Sequence, residues 1–155
     1  GGGTRLGAAD SADSADSPCT DRFSARVTPV LQTVRRNLAR VIDDVHERAS
    51  RARVLVVGYP QIVPESGTCA DLPLAAGDYA FARSVNERLN DAVREAAEAA
   101  DAEYVDVWSA SAGHDICADD PWINGRVTSA ERALAYHPLA VEQRAVADLV
   151  LETIR

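Results

Sequence analysis

His137 stands immediately before Pro138, where an irregular stretch gives way to helical spacing, and its imidazole is the side chain best suited to acid-base chemistry near neutral pH. Its Nε2 can act as a general base. A histidine ahead of a helix also reads as a capping or surface residue, and no neighbour settles the matter: the residue three before it is Leu134, and Glu131 lies six away, so no local carboxylate orients the ring. His114-Asp115 with Asp119-Asp120 forms a second cluster from which a metal site could be built, although a disulfide through Cys117 would hold the same loop for structural reasons alone. His46 falls among charged neighbours and reads as a partly exposed helical residue. Asp106 interrupts an apolar run and is read either as an orienting group or as a satisfied carboxylate at a strand end.

A nucleophile is harder to find. The chain has no Gly-x-Ser-x-Gly elbow and no phosphate-cradling glycine loop, and Ser66, Ser84, Ser109 and Ser111 have no distinguishing context. The aspartates of the Ala-Asp-Ser repeats between Ala9 and Ser17 lack the glycine and terminal glutamate of a calcium-binding loop. No metal and no cofactor is therefore assigned. That tract is small and polar, and residues 1–20 are expected to form a flexible segment ahead of one α/β unit at 21–155.

The elements that must position His137 follow from periodicity. Val27, Val30 or Leu31, Val34, Leu38, Val41 or Ile42 and Val45 recur every three or four residues. Because Pro29 is tolerable only in a first turn, the regular helix is expected from near Thr28 to near Ser50. Arg53–Gly58 is a short β-branched run without polar alternation, the pattern of a strand buried on both faces of a parallel sheet. Phe81, Val85, Leu89, Val93, Ala96 and Ala100 restore helical spacing, Tyr104–Trp108 gives a second strand, and Val141, Ala145, Leu149, Val150 and Ile154 a last helix with Pro138 near its first position. Between them, Ser109–Tyr136 is long for a connection, as binding or catalytic loops are, and Trp122 and Ile123 argue against disorder there. Alternating helices and strands predict an α/β sandwich with a parallel sheet. Two strands are too few for such a sheet, so further strands are expected upstream. Ligands in this architecture sit beyond the carboxyl ends of the strands, the edge to which the loops after Gly58 and Trp108 and the residue His137 belong.

Composition narrows the rest. The 155 residues hold 16 arginines and no lysine against 24 acidic residues, a net charge of -8, which is the wrong sign for a nucleic-acid partner. The longest strongly apolar run, Val54–Val57, is far short of the roughly 20 residues that span a bilayer, so no transmembrane segment is expected. The chain lacks methionine and opens Gly1-Gly2-Gly3-Thr4, which reads as a processed chain or a fragment. Cys19, Cys69 and Cys117 are odd in number and lack Cys-x-x-Cys spacing, which suits one disulfide and one orphan thiol whose partner would lie upstream in an extracellular protein.

Taken in order, Val54-Leu55-Val56-Val57-Gly58-Tyr59-Pro60, Cys69, Tyr104-Val105-Asp106-Val107, Gly113-His114-Asp115-Ile116-Cys117, Pro121-Trp122-Ile123-Asn124-Gly125 and Tyr136-His137-Pro138 closely resemble the C-terminal part of secreted SGNH (GDSL-type) ester hydrolases, from about Cys19 to Arg155. The resemblance implies a flavodoxin-like α/β/α sandwich, a small-molecule or lipid ester as substrate, His137 as the catalytic base and pairing of Cys69 with Cys117, which leaves Cys19 to match an upstream cysteine. The sequence departs from the family in three places. Leu134 stands where the family's Asp-x-x-His has aspartate, although some secreted members also lack it and orient the histidine through a backbone carbonyl. The Gly-Asp-Ser block with the nucleophilic serine is absent, since in the family it lies upstream. The Gly-x-Asn-Asp block, whose asparagine helps bind the oxyanion, would fall near Gly3-Thr4, which has neither residue. Two expectations result: a serine ester hydrolase to which this chain brings the histidine but not the serine, or a non-catalytic α/β remnant that serves as a binding or scaffold module.

Overall fold

The computed structural model describes residues 16–155; the Ala-Asp-Ser repeats up to Ala15 lie outside the described residues. Helix α1 spans Pro18–Arg48, strand β1 Leu55–Val57, helix α2 Tyr79–Ala99, strand β2 Glu103–Val105, the short helix α3 Val107–Ala110 and helix α4 Ala140–Ile154. β1 and β2 pair in parallel with Leu55 opposite Glu103 and Val57 opposite Val105. The connection between them runs through α2, which packs on α1, while α4 packs against β2. This is the alternating α/β plan expected, with a two-stranded sheet among the described residues.

Helix α1 begins ten residues earlier than its proline suggested, and it takes in Pro18, Cys19 and Thr20, which composition placed in the flexible segment. Pro18 suits the first turn, where its missing N–H costs nothing. The cap that starts the helix comes from a distant part of the chain. Ser17 makes no side-chain cap, but the buried Asp78 carboxylate accepts from Cys19 N–H at 3.0 Å, Thr20 N–H at 2.8 Å and Thr20 Oγ1 at 2.8 Å. With the first turn fixed in this way, the helix continues through Pro29, which forfeits one backbone hydrogen bond.

Burial alone would push the Asp78 carboxyl up, but the hydrogen bonds from Cys19 and Thr20 outweigh it and hold the group below its usual range. A depressed carboxyl pKa contributes stability that is present above the unfolded value and lost as pH falls through the folded one. Asp78→Ala is therefore expected to lower the melting temperature at neutral pH and to speed amide exchange at Cys19 and Thr20. The difference from the parent should narrow as pH falls below about 4, the ordinary carboxyl value, and through the lower folded one; a gap that stays constant there would mean that the charge is not what caps α1.

Among the described residues strand β1 has Leu55 and Val56 half-buried and Val57 40% exposed, less burial than its apolar run suits in a full parallel sheet. Its edge away from β2 carries no strand among the described residues. The second strand is also shorter than its apolar pattern, because Asp106 accepts from Ser109 N–H at 3.0 Å and turns the chain into α3. Gly58 closes the strand where no side chain fits. A Cβ there would overlap the Tyr104 hydroxyl and lie 2.9 Å from Asn90 Oδ1.

Candidate active-site loops

The two loops that leave the sheet at its carboxyl edge are fastened to each other. Asn90 Oδ1 accepts from Tyr59 N–H at 2.8 Å and from the Tyr104 hydroxyl at 3.1 Å, and Asn86 Oδ1 accepts from Ile62 N–H at 2.9 Å. Burial, with a smaller contribution from the Asp106 charge, pushes the Tyr104 phenol up to about 12, so it stays a donor. Ser111, fully buried, accepts from Gln61 N–H at 2.8 Å and donates to the Trp108 carbonyl at 3.1 Å. Ile116 N–H reaches the Ile62 carbonyl at 3.1 Å, and Cys69 is bonded to Cys117. Around that disulfide Val63, Leu72, Tyr79, Ile116 and Ile123 form a core of their own, with the Tyr79 hydroxyl accepting from Cys69 N–H and donating to the Leu72 carbonyl.

His137 is presented by this second core. Pro121-Trp122-Ile123-Asn124-Gly125 runs antiparallel to the chain around His137: Asn124 N–H donates to the His137 carbonyl at 2.9 Å, Leu139 N–H to the Trp122 carbonyl at 2.8 Å, and Ile123 bridges Pro138. The intervening residues double back so that His137 N–H meets the Leu134 carbonyl at 3.2 Å. In this turn Tyr136 takes φ 61°, a left-handed conformation that side chains other than glycine and asparagine seldom adopt. The imidazole Nδ1 lies 2.9 Å from the Ala135 carbonyl oxygen. A carbonyl only accepts, so Nδ1 is the donor, and in the neutral ring Nε2 is then the nitrogen with the lone pair. A backbone oxygen thus stands where Leu134 can offer no carboxylate. The histidine is exposed, and among the described residues no serine hydroxyl is bonded to its Nε2.

The remaining candidates resolve into structure. His114 stacks on Trp122 with ring centroids 4.8 Å apart, and its Nδ1 lies 2.8 Å from the Asp120 carbonyl. The Asp115 carboxylate accepts from Cys117 N–H at 2.8 Å. Among the described residues no three His, Cys, Asp or Glu side chains converge as metal ligands would. His46 is a half-buried residue near the end of α1, and Cys19 is a free thiol. Two side chains that position these loops, Asn86 and Asn90, are not among the residues singled out from sequence, nor is Asp78, which caps α1; Asn124 stands there only as part of the Pro121–Gly125 block. Asn86 and Asn90 did leave a signal, being polar residues in register with Val93 and Ala97 on the buried stripe of α2.

The sequence model of the GDSL-like lipase/acylhydrolase family matches residues 6–144. Lipase 2 of Streptomyces coelicolor is 35% identical over 144 residues, 89% of this chain and 48% of its own length. A lipase of Streptomyces rimosus is 29% identical over 125 residues, 81% of this chain and 46% of its own. The crystal structure of phospholipase A1 from Streptomyces albidoflavus superposes with a TM-score of 0.75 at 28% identity, covering 87% of this chain and 56% of that one. The extracellular lipase of Streptomyces rimosus superposes with the same TM-score and identity, over 88% of this chain and 57% of that one. The chain thus spans about half the length of the curated relatives it matches. With a match over most of its residues and the same α/β arrangement in three dimensions, the chain belongs to the GDSL-like lipase/acylhydrolase family.

Proposed function

We propose that this chain supplies the general base, His137, of a serine-type carboxylic ester hydrolase. The observation that carries the reading is the imidazole itself, exposed and with its Nδ1–H committed to the Ala135 carbonyl, which leaves Nε2 free to take a proton. In the complete site a serine from another part of the protein attacks the ester carbonyl as Nε2 removes its hydroxyl proton. The tetrahedral oxyanion is held by backbone amides and an asparagine side chain, and the imidazolium returns the proton to the leaving alcohol as the acyl-enzyme forms. Water repeats the sequence to release the acid.

Two features support a second piece of polypeptide beside this one. The outer edge of β1 is open among the described residues, and α1 leaves Val30 and Val41 54% and 57% exposed. The substrate class is a small-molecule or lipid ester, in keeping with the relatives' names. An extracellular setting agrees with the Cys69–Cys117 bond and with the extracellular lipase among the structural neighbours. Among the described residues no helix is long and apolar enough to cross a membrane.

Hydrolysis of short p-nitrophenyl esters tests the reading. The 155-residue chain alone is expected to turn them over no faster than its His137→Ala variant, because a lone imidazole lacks both nucleophile and oxyanion donors. Adding a serine-bearing family segment, fused upstream or as a second chain, should produce His137-dependent turnover. Turnover by the chain alone would place a nucleophile inside it. Inactivity in every combination would favour a binding or scaffold role.

A further inference from the structure

Asn124 is 4% exposed and its side chain faces inward across the loop that it opens. Its Nδ2 lies 2.9 Å from the Val127 carbonyl, 2.9 Å from that of Ala133 and 3.1 Å from that of Leu134. Two hydrogens are thus distributed over three acceptors, all of them backbone groups of the excursion that ends at His137. The Leu134 carbonyl is shared, because it also accepts His137 N–H at 3.2 Å and so closes the turn 134–137. The next carbonyl in that turn, Ala135, holds the imidazole Nδ1 at 2.9 Å. The turn carries Tyr136 at φ 61°, a conformation that surrounding contacts must maintain.

We infer that Asn124 is a positioning residue for His137: its amide clamps the Val127, Ala133 and Leu134 carbonyls and thereby fixes the turn whose Ala135 oxygen orients the ring. The inference rests on the reading of His137 as the base, but its geometry concerns the ring alone. Residue type is decisive at this position. An aspartate has the same shape but only accepts, and it would set a charge against three carbonyl oxygens; alanine leaves those oxygens without their donor.

Nitrogen NMR of the imidazoles tests this in the chain as it stands, which has three histidines to assign. With the imidazoles neutral, the parent is expected to show His137 as the Nδ1–H tautomer. In Asn124→Ala the ring should pass to an exchanging mixture of tautomers while His114, held by the Asp120 carbonyl, keeps its signals. Asn124→Asp should do the same. Ser111→Ala, which breaks the brace between the two loops away from His137, controls for general loosening and should leave the His137 tautomer in place. Should Asn124→Ala fail to fold, Asn124→Ser retains one donor and is expected to show a partial shift. In a serine-complemented enzyme Asn124→Ala should lower kcat on the order of ten- to a hundredfold with KM little changed, as for a misplaced catalytic group. An unchanged His137 tautomer in folded Asn124→Ala, or an equal change in Ser111→Ala, overturns the inference. If instead His137→Ala retains activity in the complemented enzyme, the base assignment fails while the tautomer comparison still decides what Asn124 does.

Discussion

In an enzyme completed by a serine-bearing segment, His137→Ala should lower kcat by roughly a thousandfold or more with folding intact, the scale of loss on removing a triad member. The magnitude rests on two coupled steps. Without Nε2 the serine hydroxyl keeps its proton during attack, and the alkoxide leaving group receives none. Leu134→Ala should do far less, because the acceptor of Nδ1–H is the Ala135 backbone oxygen, and a change of side chain at Leu134 preserves both that carbonyl and the one bonded to Asn124. His114→Ala is the informative comparison. Its ring stacks on Trp122, whose carbonyl holds Leu139 N–H just beyond His137, so its removal should soften the loop and lower activity modestly. Steady-state kinetics of the three variants, with melting temperatures measured in parallel, checks the order. If His114 proves indispensable while His137→Ala turns over at a near-normal rate, the catalytic assignment moves to His114.

The parts of this molecule that sequence revealed are those governed by local patterns. The apolar spacing of α1, α2 and α4 and the β-branched run at β1 each depend on residues close in the chain, and each element formed where its pattern lies. The misreadings have a common cause. Pro29 suggests a first turn near Thr28, whereas the cap belongs to Asp78, 58 residues beyond Thr20. The length of β2 was overstated because Asp106 ends it from within an apolar run by bonding to Ser109 N–H. The β-branched run of β1 suits burial on both faces, and the 40% exposure of Val57 is that of a two-stranded sheet among the described residues. For the candidate site, His137 was legible as a residue type at a helix entrance, and the family resemblance assigned its role. Its orienting acceptor was not, since any residue carries a backbone carbonyl and only the turn around Tyr136 selects that of Ala135. Asn124 is legible as a member of the Pro121–Gly125 block, but what its side chain does is not, because the three carbonyls around it come from residues 3, 9 and 10 positions further along the chain.

Replacing Cys69 and Cys117 by alanine should cost about 4 kcal/mol of unfolding free energy in the chain-entropy account, since the bond closes a loop of 48 residues that includes β2 and all of α2. The loss should be felt first in the loops. The bond lies among Val63, Leu72, Tyr79, Ile116 and Ile123, a small core beyond the strand ends, and Ile123 is the residue that bridges Pro138 beside His137. Opening the disulfide leaves the two loops joined by the hydrogen bonds Gln61–Ser111, Gln61–Trp108, Ile62–Ile116 and Asp71–Arg126. The His137 turn should therefore loosen while the hydrogen bonds between β1 and β2 persist, so that amide exchange rises at Asn124 and His137 before it rises at Val56. Thiol titration of the native chain should find one free cysteine, Cys19, and three after reduction under denaturing conditions. Denaturant unfolding with and without reductant measures the stability difference. Three free thiols in the oxidatively folded protein, or an unfolding midpoint indifferent to reductant, would show that the two loops are held by packing alone.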